Sequence, residues 1–419
     1  MVLTIILIFI IGYAVIAFET QLQFNKTAAA LLMGVLCWTA YAVSSSSTVS
    51  EQLAHHLTGI AEILFFLLGA MTVVELVDAH NGFDLITDRI ATRNPRRLLW
   101  VVALLTFFLS AILDNLTAAI VMMSLLKKLI PASQTRLLMA GVVVIAANAG
   151  GAWSPIGDVT TTMLWIGGQI TTVATVTKLF MPSLASLVVP LVFLSFDKLF
   201  KIQKLDIITS KSSTFSHSRF EQITMLSIGL GGLLFVPVFK TITHLPPYIS
   251  ILLVLGVIWA VSELLHKDKD EAERQPLTAA FALSRIDTPS ILFFLGILLA
   301  VGCLEASQVL HSLSVWLNDS IGNIDLIVAL IGLASAVIDN VPLVAASIGM
   351  YDLQTYPTDH QLWQFLAYCA GTGGSILIIG SAAGVAVMGM ERIGFGWYFR
   401  KISWLALLGY LAGIGVYFI

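Results

Sequence analysis

The sequence predicts an all-α polytopic membrane protein of two inverted-topology repeats, with about ten spans, two opposed re-entrant hairpins and two broken helices. Three observations carry that expectation. Of 419 residues, 58% are hydrophobic and 11% charged, where soluble domains carry about 25% charge, and the mean hydropathy is +0.92. Basic residues sort to one face of a membrane once two segments are folded as hairpins. Interrupted apolar segments recur at matching places in the two halves. With 22 basic and 25 acidic side chains and a net charge of −3, the chain cannot coat a soluble surface and offers no basic stripe. A soluble globular enzyme, a disordered chain and a nucleic-acid binder are therefore excluded. Cys37, Cys303 and Cys369 all fall in apolar stretches and form no metal-ligand spacing.

Taken in order, apolar runs cover 2–18, 27–44, 59–77, 98–113, 116–130, 137–147, 158–170 and 172–196. The first has no basic flank or cleavage site and is expected to be a retained helix rather than a signal peptide. Residues 98–130 read as a hairpin turning at Asp114-Asn115, and 137–170 as a span broken by glycines. A basic stretch at 197–221 is expected to be a cytoplasmic linker. The second half gives 222–239, 248–265, 289–304, a hairpin over 325–350 turning at Asp339-Asn340, a broken span over 361–391, and 402–419. The repeats are thus 1–196 and 222–419. With both termini outside, Lys26, Arg89, Arg93, Arg96, Arg97, Lys127, Lys128, Arg136, the 198–219 cluster, Lys267, Lys269, Arg274, Arg285, Arg392, Arg400 and Lys401 fall inside; of the 22 basic residues only Lys178 and Lys240 do not. That is the positive-inside pattern.

Internal likeness supports the duplication. Phe65-Phe66 corresponds to Phe293-Phe294, Asp114-Asn115 to Asp339-Asn340 and Gly150-Gly151 to Gly373-Gly374, at offsets of 228, 225 and 223. Interrupted hydrophobic segments at corresponding positions point to the binding site of a secondary transporter.

The chemistry-bearing residues cluster at these interruptions. A carboxylate at bilayer depth costs about 2.5–3.5 kcal/mol on insertion scales, so Asp114 and Asp339 must pair, line water or hold an ion. Asn115 and Asn340 can cap the following helix or offer an amide oxygen. Around the first break stand Asn148, Asp158, Thr160 and Thr161; around the second, Ser375 and Ser381. Oxygen donors of this kind suit a hard cation, and Ser or Thr bonded back to its own helix is the alternative at each hydroxyl. Repeat two has Ser381 where repeat one has Asp158, so the first repeat is expected to hold the principal cation site. Glu62, Glu75, Asp287 and Glu305 are accessory acids; Glu75 and Glu305 lie near His80 and His311, and Asp287 precedes a helix start. His55 and His56 read as an outer loop.

Ile112-Leu-Asp114-Asn115-Leu-Thr117, the block Asn148–Thr162 and the run Phe65–Glu75 together resemble the NhaD-type Na⁺/H⁺ antiporters. That family belongs to an ion-transporter superfamily with arsenite permeases and dicarboxylate/sodium carriers. The resemblance implies exchange of external H⁺ for internal Na⁺ or Li⁺ in a bacterial cytoplasmic membrane, for pH and sodium homeostasis. It implies a homodimer, no cofactor, and ion-binding roles for Asp114, Asn115, Asn148, Asp158, Thr160, Thr161, Ser335, Asp339 and Asn340, with Na⁺ at Asp158, Thr160, Thr161 and Asp114. An organic-anion or arsenite carrier of the same superfamily remains open, although Asp at both hairpin tips repels anions. An intramembrane aspartyl protease would want Tyr-Asp before Gly-x-Gly-Asp; here Tyr351-Asp352 follows Pro155-Ile-Gly157-Asp158. A transporter, not an enzyme, is expected.

Overall fold

Helices alone build the protein. The computed structural model describes residues 2–44, 49–87, 92, 94–131, 133–197, 200 and 218–419, and these contain no strand. Arg89, Arg93 and most of the expected linker over 197–221 lie outside the described residues. Among the described residues, nine helices are long and apolar enough to cross a membrane.

The first half runs α1 (Val2–Ala17), α2 (Lys26–Ser44), α3 (Val49–Ala79), α4 (Pro95–Leu113), α5 (Asn115–Leu129), α6 (Gln134–Ala152), α7 (Val159–Ile166) and α8 (Thr172–Ser195). The second runs α9 (Arg219–Thr243), α10 (Pro247–Leu265), α11 (Thr288–Ala306), α12 (Val309–Ile321), α13 (Ile324–Ala334), α14 (Asn340–Met350), α15 (Gln361–Gly373), α16 (Ala382–Glu391) and α17 (Phe395–Tyr417). Helices α4 and α5 are the arms of the first hairpin, α13 and α14 those of the second. The pairs α6/α7 and α15/α16 are the two broken spans.

Caps written into the sequence start these helices. Asn94 Oδ1 accepts from the Arg96 and Arg97 amides just ahead of Pro95, and Ser133, Thr171 and Asn323 do the same for α6, α8 and α13. Such caps satisfy first-turn N–H groups that have no partner within the helix.

Three expectations are corrected. His55 and His56 are not in an outer loop: α3 begins at Val49, ten residues before its apolar run, and His56 packs 5.9 Å from the Trp38 ring. The stretch between α11 and the second hairpin holds α12, which packs on both α13 and α14 and is bent 114° from α13. Its alternating apolar and polar character hides it from a search for continuous apolar runs. The last span starts at Phe395, seven residues early.

The two-fold relation is visible in backbone contacts. A Cβ on Gly150 would stand 2.2 Å from the Phe107 carbonyl oxygen, and one on Gly373 would stand 2.0 Å from that of Gly332. Gly157 abuts the Ser110 carbonyl as Gly380 abuts that of Ser335, and Gly151 meets Gly157 as Gly374 meets Gly380. Ser110 Oγ donates to the Ala147 carbonyl at 2.5 Å, and Ser335 Oγ to that of Ala370 at 2.9 Å. Each hairpin's first arm is thus seated on its own broken span by glycines that let backbones touch. The halves also exchange partners: α2 packs on α11 and α3 on α10, while α5 meets α16 and α14 meets α7. Along the α2–α11 seam, Thr27 Oγ1, Trp38 Nε1 and Tyr41 OH donate to the carbonyls of Pro289, Leu299 and Ala306.

Gly150→Ala is expected to lower stability by about 1–3 kcal/mol or more, because a backbone carbonyl cannot yield as a rotamer does. Gly231→Ala, in α9 with nothing within 4 Å of its Cβ position, should gain up to about 1 kcal/mol from helix propensity. Thermal unfolding of the two purified variants in detergent, beside the parent protein, checks both signs.

Candidate functional site

Asp114 and Asp158 stand at helix starts and line one narrow cavity of ≈ 50 Å³, closed by Phe66 and Leu67 of α3 and by Phe294 and Ser290 of α11. That is room for a few water-sized particles. Asp158 is 2% exposed. It caps α7, accepting from the Thr160 amide at Oδ1 over 3.4 Å, while Oδ2 accepts from Asn340 Nδ2 at 3.1 Å. The carboxylate of one half is therefore met by the hairpin tip of the other.

Asp114 caps α5 and binds Thr117 twice, through its amide and its hydroxyl, each at 2.7 Å. Its backbone sits at φ 120°, ψ 162°. An L-residue there costs on the order of 1–3 kcal/mol and persists only where its surroundings hold it, typically at functional sites. Asp339 caps α14 through the Val341 amide, in unstrained backbone at φ −48°.

A second chain of contacts crosses the halves. Asn115 Nδ2 donates to Asn148 Oδ1 at 3.1 Å, and Asn148 Nδ2 to Ser381 Oγ at 2.9 Å. Ser381 in turn caps α16 through the Gly384 amide. Asn115, Asn148, Asp158, Asn340 and Ser381 thus form two short networks linking the tips to the breaks. Thr160 Oγ1 is buried with no hydrogen-bond partner among the described residues. Thr161 Oγ1 donates to the Asp158 carbonyl at 2.9 Å.

The remaining residues singled out from the sequence lie otherwise. Ser335 and Ser375 spend their hydroxyl protons on the carbonyls of Ala370 and Thr372. Asp287 caps α11 through Ser290. Glu75 pairs with Arg285 at 3.0 Å rather than with His80. Glu305 faces His56 electrostatically, and its carboxylate borders Gly349, rather than pairing with His311. Glu62 lies near Lys240, whose Nζ donates to the Trp165 carbonyl at the end of α7. Sequence reading passed over Thr117 and Gly371. The first had a signal, since a Thr three residues after a helix-capping Asp is a cap partner; the second had one only through the repeat register.

Opposed hairpins that meet broken helices around a buried carboxylate define an ion-coupled secondary transporter. A family model described as a citrate transporter (CitMHS) matches residues 5–371. The "Sodium/proton antiporter 1" of Arabidopsis thaliana is 55% identical, covering 98% of this chain and 71% of its own. The "Sodium/proton antiporter 2" of the same plant is 51% identical over 98% of both chains. The "Na(+)/H(+) antiporter NhaD" of Alkalimonas amylolytica is 30% identical over 98% and 89%. The chain belongs to the family of that model, CitMHS, and to the sodium/proton antiporters of the NhaD type. The YdaH transporter of Alcanivorax borkumensis shares the fold, with a TM-score of 0.56 at 13% identity over 87% of this chain and 86% of that one.

Asn148→Ala removes a bond at each end and leaves Asn115 Nδ2 and Ser381 Oγ without this partner, for an expected loss of about 1–3 kcal/mol. Thr117→Val removes one bond to Asp114 and should cost about 1 kcal/mol. The order of the two midpoints in a thermal unfolding series checks the networks.

Proposed function

We propose that the protein exchanges cytoplasmic Na⁺ or Li⁺ for external H⁺ at Asp158, supporting pH and sodium homeostasis. The observation that carries this reading is the Asp158 carboxylate, buried at a helix break, held at Oδ2 by the opposite hairpin and lining a cavity shared with Asp114. Burial makes a bare carboxylate costly. The group therefore carries either a proton or a metal ion, and one site with two competing occupants couples their movements. Thr160 Oγ1, Asp114 and the carbonyls freed at the break supply further oxygen donors to Na⁺; Asn115, Asn148, Asp339 and Asn340 hold the tips around it. Ser381 holds Asn148 from the second break, and Ser335 and Ser375 keep hairpin and break in register. Glu62, Glu75, Asp287 and Glu305 act at most as accessory acids. Alternating access then follows from rocking the hairpin-bearing unit against the other spans.

The relatives' names support sodium and protons as the transported ions. The family description leaves an organic-anion carrier as the second reading, but the two carboxylates lining the cavity, Asp114 and Asp158, oppose an anion. The protein is a multi-pass membrane protein. We place the basic loops in the cytoplasm, both termini outside, and the protein in a bacterial cytoplasmic membrane as a homodimer; the two plant relatives extend the same reading to plant membranes.

In proteoliposomes holding an imposed ΔpH, Na⁺ and Li⁺ should each collapse the gradient. Asp158→Asn should reduce that response to the level of empty liposomes. Citrate uptake without cation-dependent proton movement would overturn the proposal. For the orientation, single cysteines at Asp268 and Asn323 should label from opposite faces, since Cys37, Cys303 and Cys369 are buried; labelling from one face defeats the inverted arrangement.

A further inference from the structure

The two broken spans part company at two facing pairs of equivalent positions. In the broken spans, residues 223 apart make equivalent contacts, as Gly150 and Gly373, Gly151 and Gly374, and Gly157 and Gly380 do. On that register Asn148 corresponds to Gly371 and Asp158 to Ser381. Asn148 reaches across to Ser381 Oγ at 2.9 Å and is itself held by Asn115. In the mirror place, Gly371 sends nothing toward Asp158. A Cβ built there would lie 3.7 Å from Asp158 Oδ2 and 3.0 Å from the Ala152 Cβ. An asparagine at 371 would carry its amide to Oδ2, as Asn148 carries its own to Ser381.

We infer that Gly371 is a specificity-determining residue: it leaves one side of the Asp158 carboxylate open to a monovalent metal ion, while Asn148 plugs the equivalent space beside Ser381. The inference rests on the exchange reading above. Two physical points give it content. Oδ2 already accepts from Asn340 at 3.1 Å, so a second amide donor on it would compete with any cation for the remaining lone pair. A lone methyl group at 371 would instead narrow the space without supplying a donor, and the larger ion would suffer first. Fold duplication would then have left two similar sites, one opened by losing a side chain and one closed by keeping it.

The test uses the purified full chain in proteoliposomes with an imposed ΔpH, titrated separately with NaCl and LiCl. Gly371→Ala is expected to weaken apparent Na⁺ affinity about 10-fold, as one methylene in a fitted pocket does, and to weaken Li⁺ less, raising the Li⁺-to-Na⁺ preference at least about threefold. Gly371→Asn should lose the response to both ions. Gly231→Ala, on α9 away from the site, serves as the control with the parent ratio. If Gly371→Ala elutes aggregated on size exclusion, Gly371→Ser takes its place and its ratio decides. An unmoved ratio, or a parent-like Na⁺ response in folded Gly371→Asn, overturns the assignment. With Asp158→Asn inactive and the ratio unmoved, the exchange reading stands and only the role of Gly371 falls. With Asp158→Asn active, the exchange reading itself falls.

Discussion

The hydrogen bond from Asn340 to Asp158 is the contact on which the rest of the architecture depends. A helix broken at bilayer depth exposes first-turn N–H groups that lipid cannot satisfy. Asp158 answers for α7, but a buried carboxylate then needs a partner of its own. That partner comes from the other half of the chain, at the tip of a hairpin that must reach the middle of the protein to deliver it. The hairpin can sit so deep only because glycines at 332, 373 and 380 allow backbone to lie on backbone. Break, acid, opposed tip and glycine seam are therefore one solution to one solvation problem.

Much of this was legible in the sequence because each requirement needs a distinctive residue. Asp-Asn and Gly-Gly inside apolar segments stand out where Leu and Val are the background, and their repetition reveals the two-fold arrangement. What stayed hidden is what depends on pairing across helices. Glu75 has a histidine five residues away, yet it pairs with Arg285, which only the approach of the short helix Ala279–Arg285 to α3 brings near. The α12 helix is amphipathic and packs sideways on the second hairpin, so it contributes no apolar run. His56 could not be placed because α3 extends beyond its hydrophobic stretch and packs its polar end on Trp38. Side-chain direction was equally invisible: the pattern marks Ser335 and Ser375 as oxygen donors, but not that their hydroxyls face carbonyls of their own repeat.

Several basic residues have acidic partners as well. Glu391, almost wholly buried, receives Arg136 Nε at 2.9 Å and lies 3.9 Å from Lys127 Nζ. Lys269 meets Glu221, and Arg274 meets Glu263. Exposed pairs of this kind contribute little each, about 0–1 kcal/mol. The Glu391 cluster differs, since it joins the ends of α5, α6 and α16, the elements that carry the Asn115–Asn148–Ser381 network. Lys127 and Arg136 thus tie the two broken spans together through Glu391.

The glycine seams have a mechanical consequence. Side chains at an interface can change rotamer and absorb a displacement, whereas carbonyls resting on Cα atoms have no such freedom. The contacts of Gly150 with Phe107 and of Gly373 with Gly332 make each hairpin arm and its broken span a stiff pair. Compliance must then lie elsewhere, where long side chains such as Lys240 on Trp165 bridge the pair to its neighbours. A shift of either hairpin would be transmitted undamped to the start of α7 or α16, so the acid at position 158 is held on the least yielding part of the molecule.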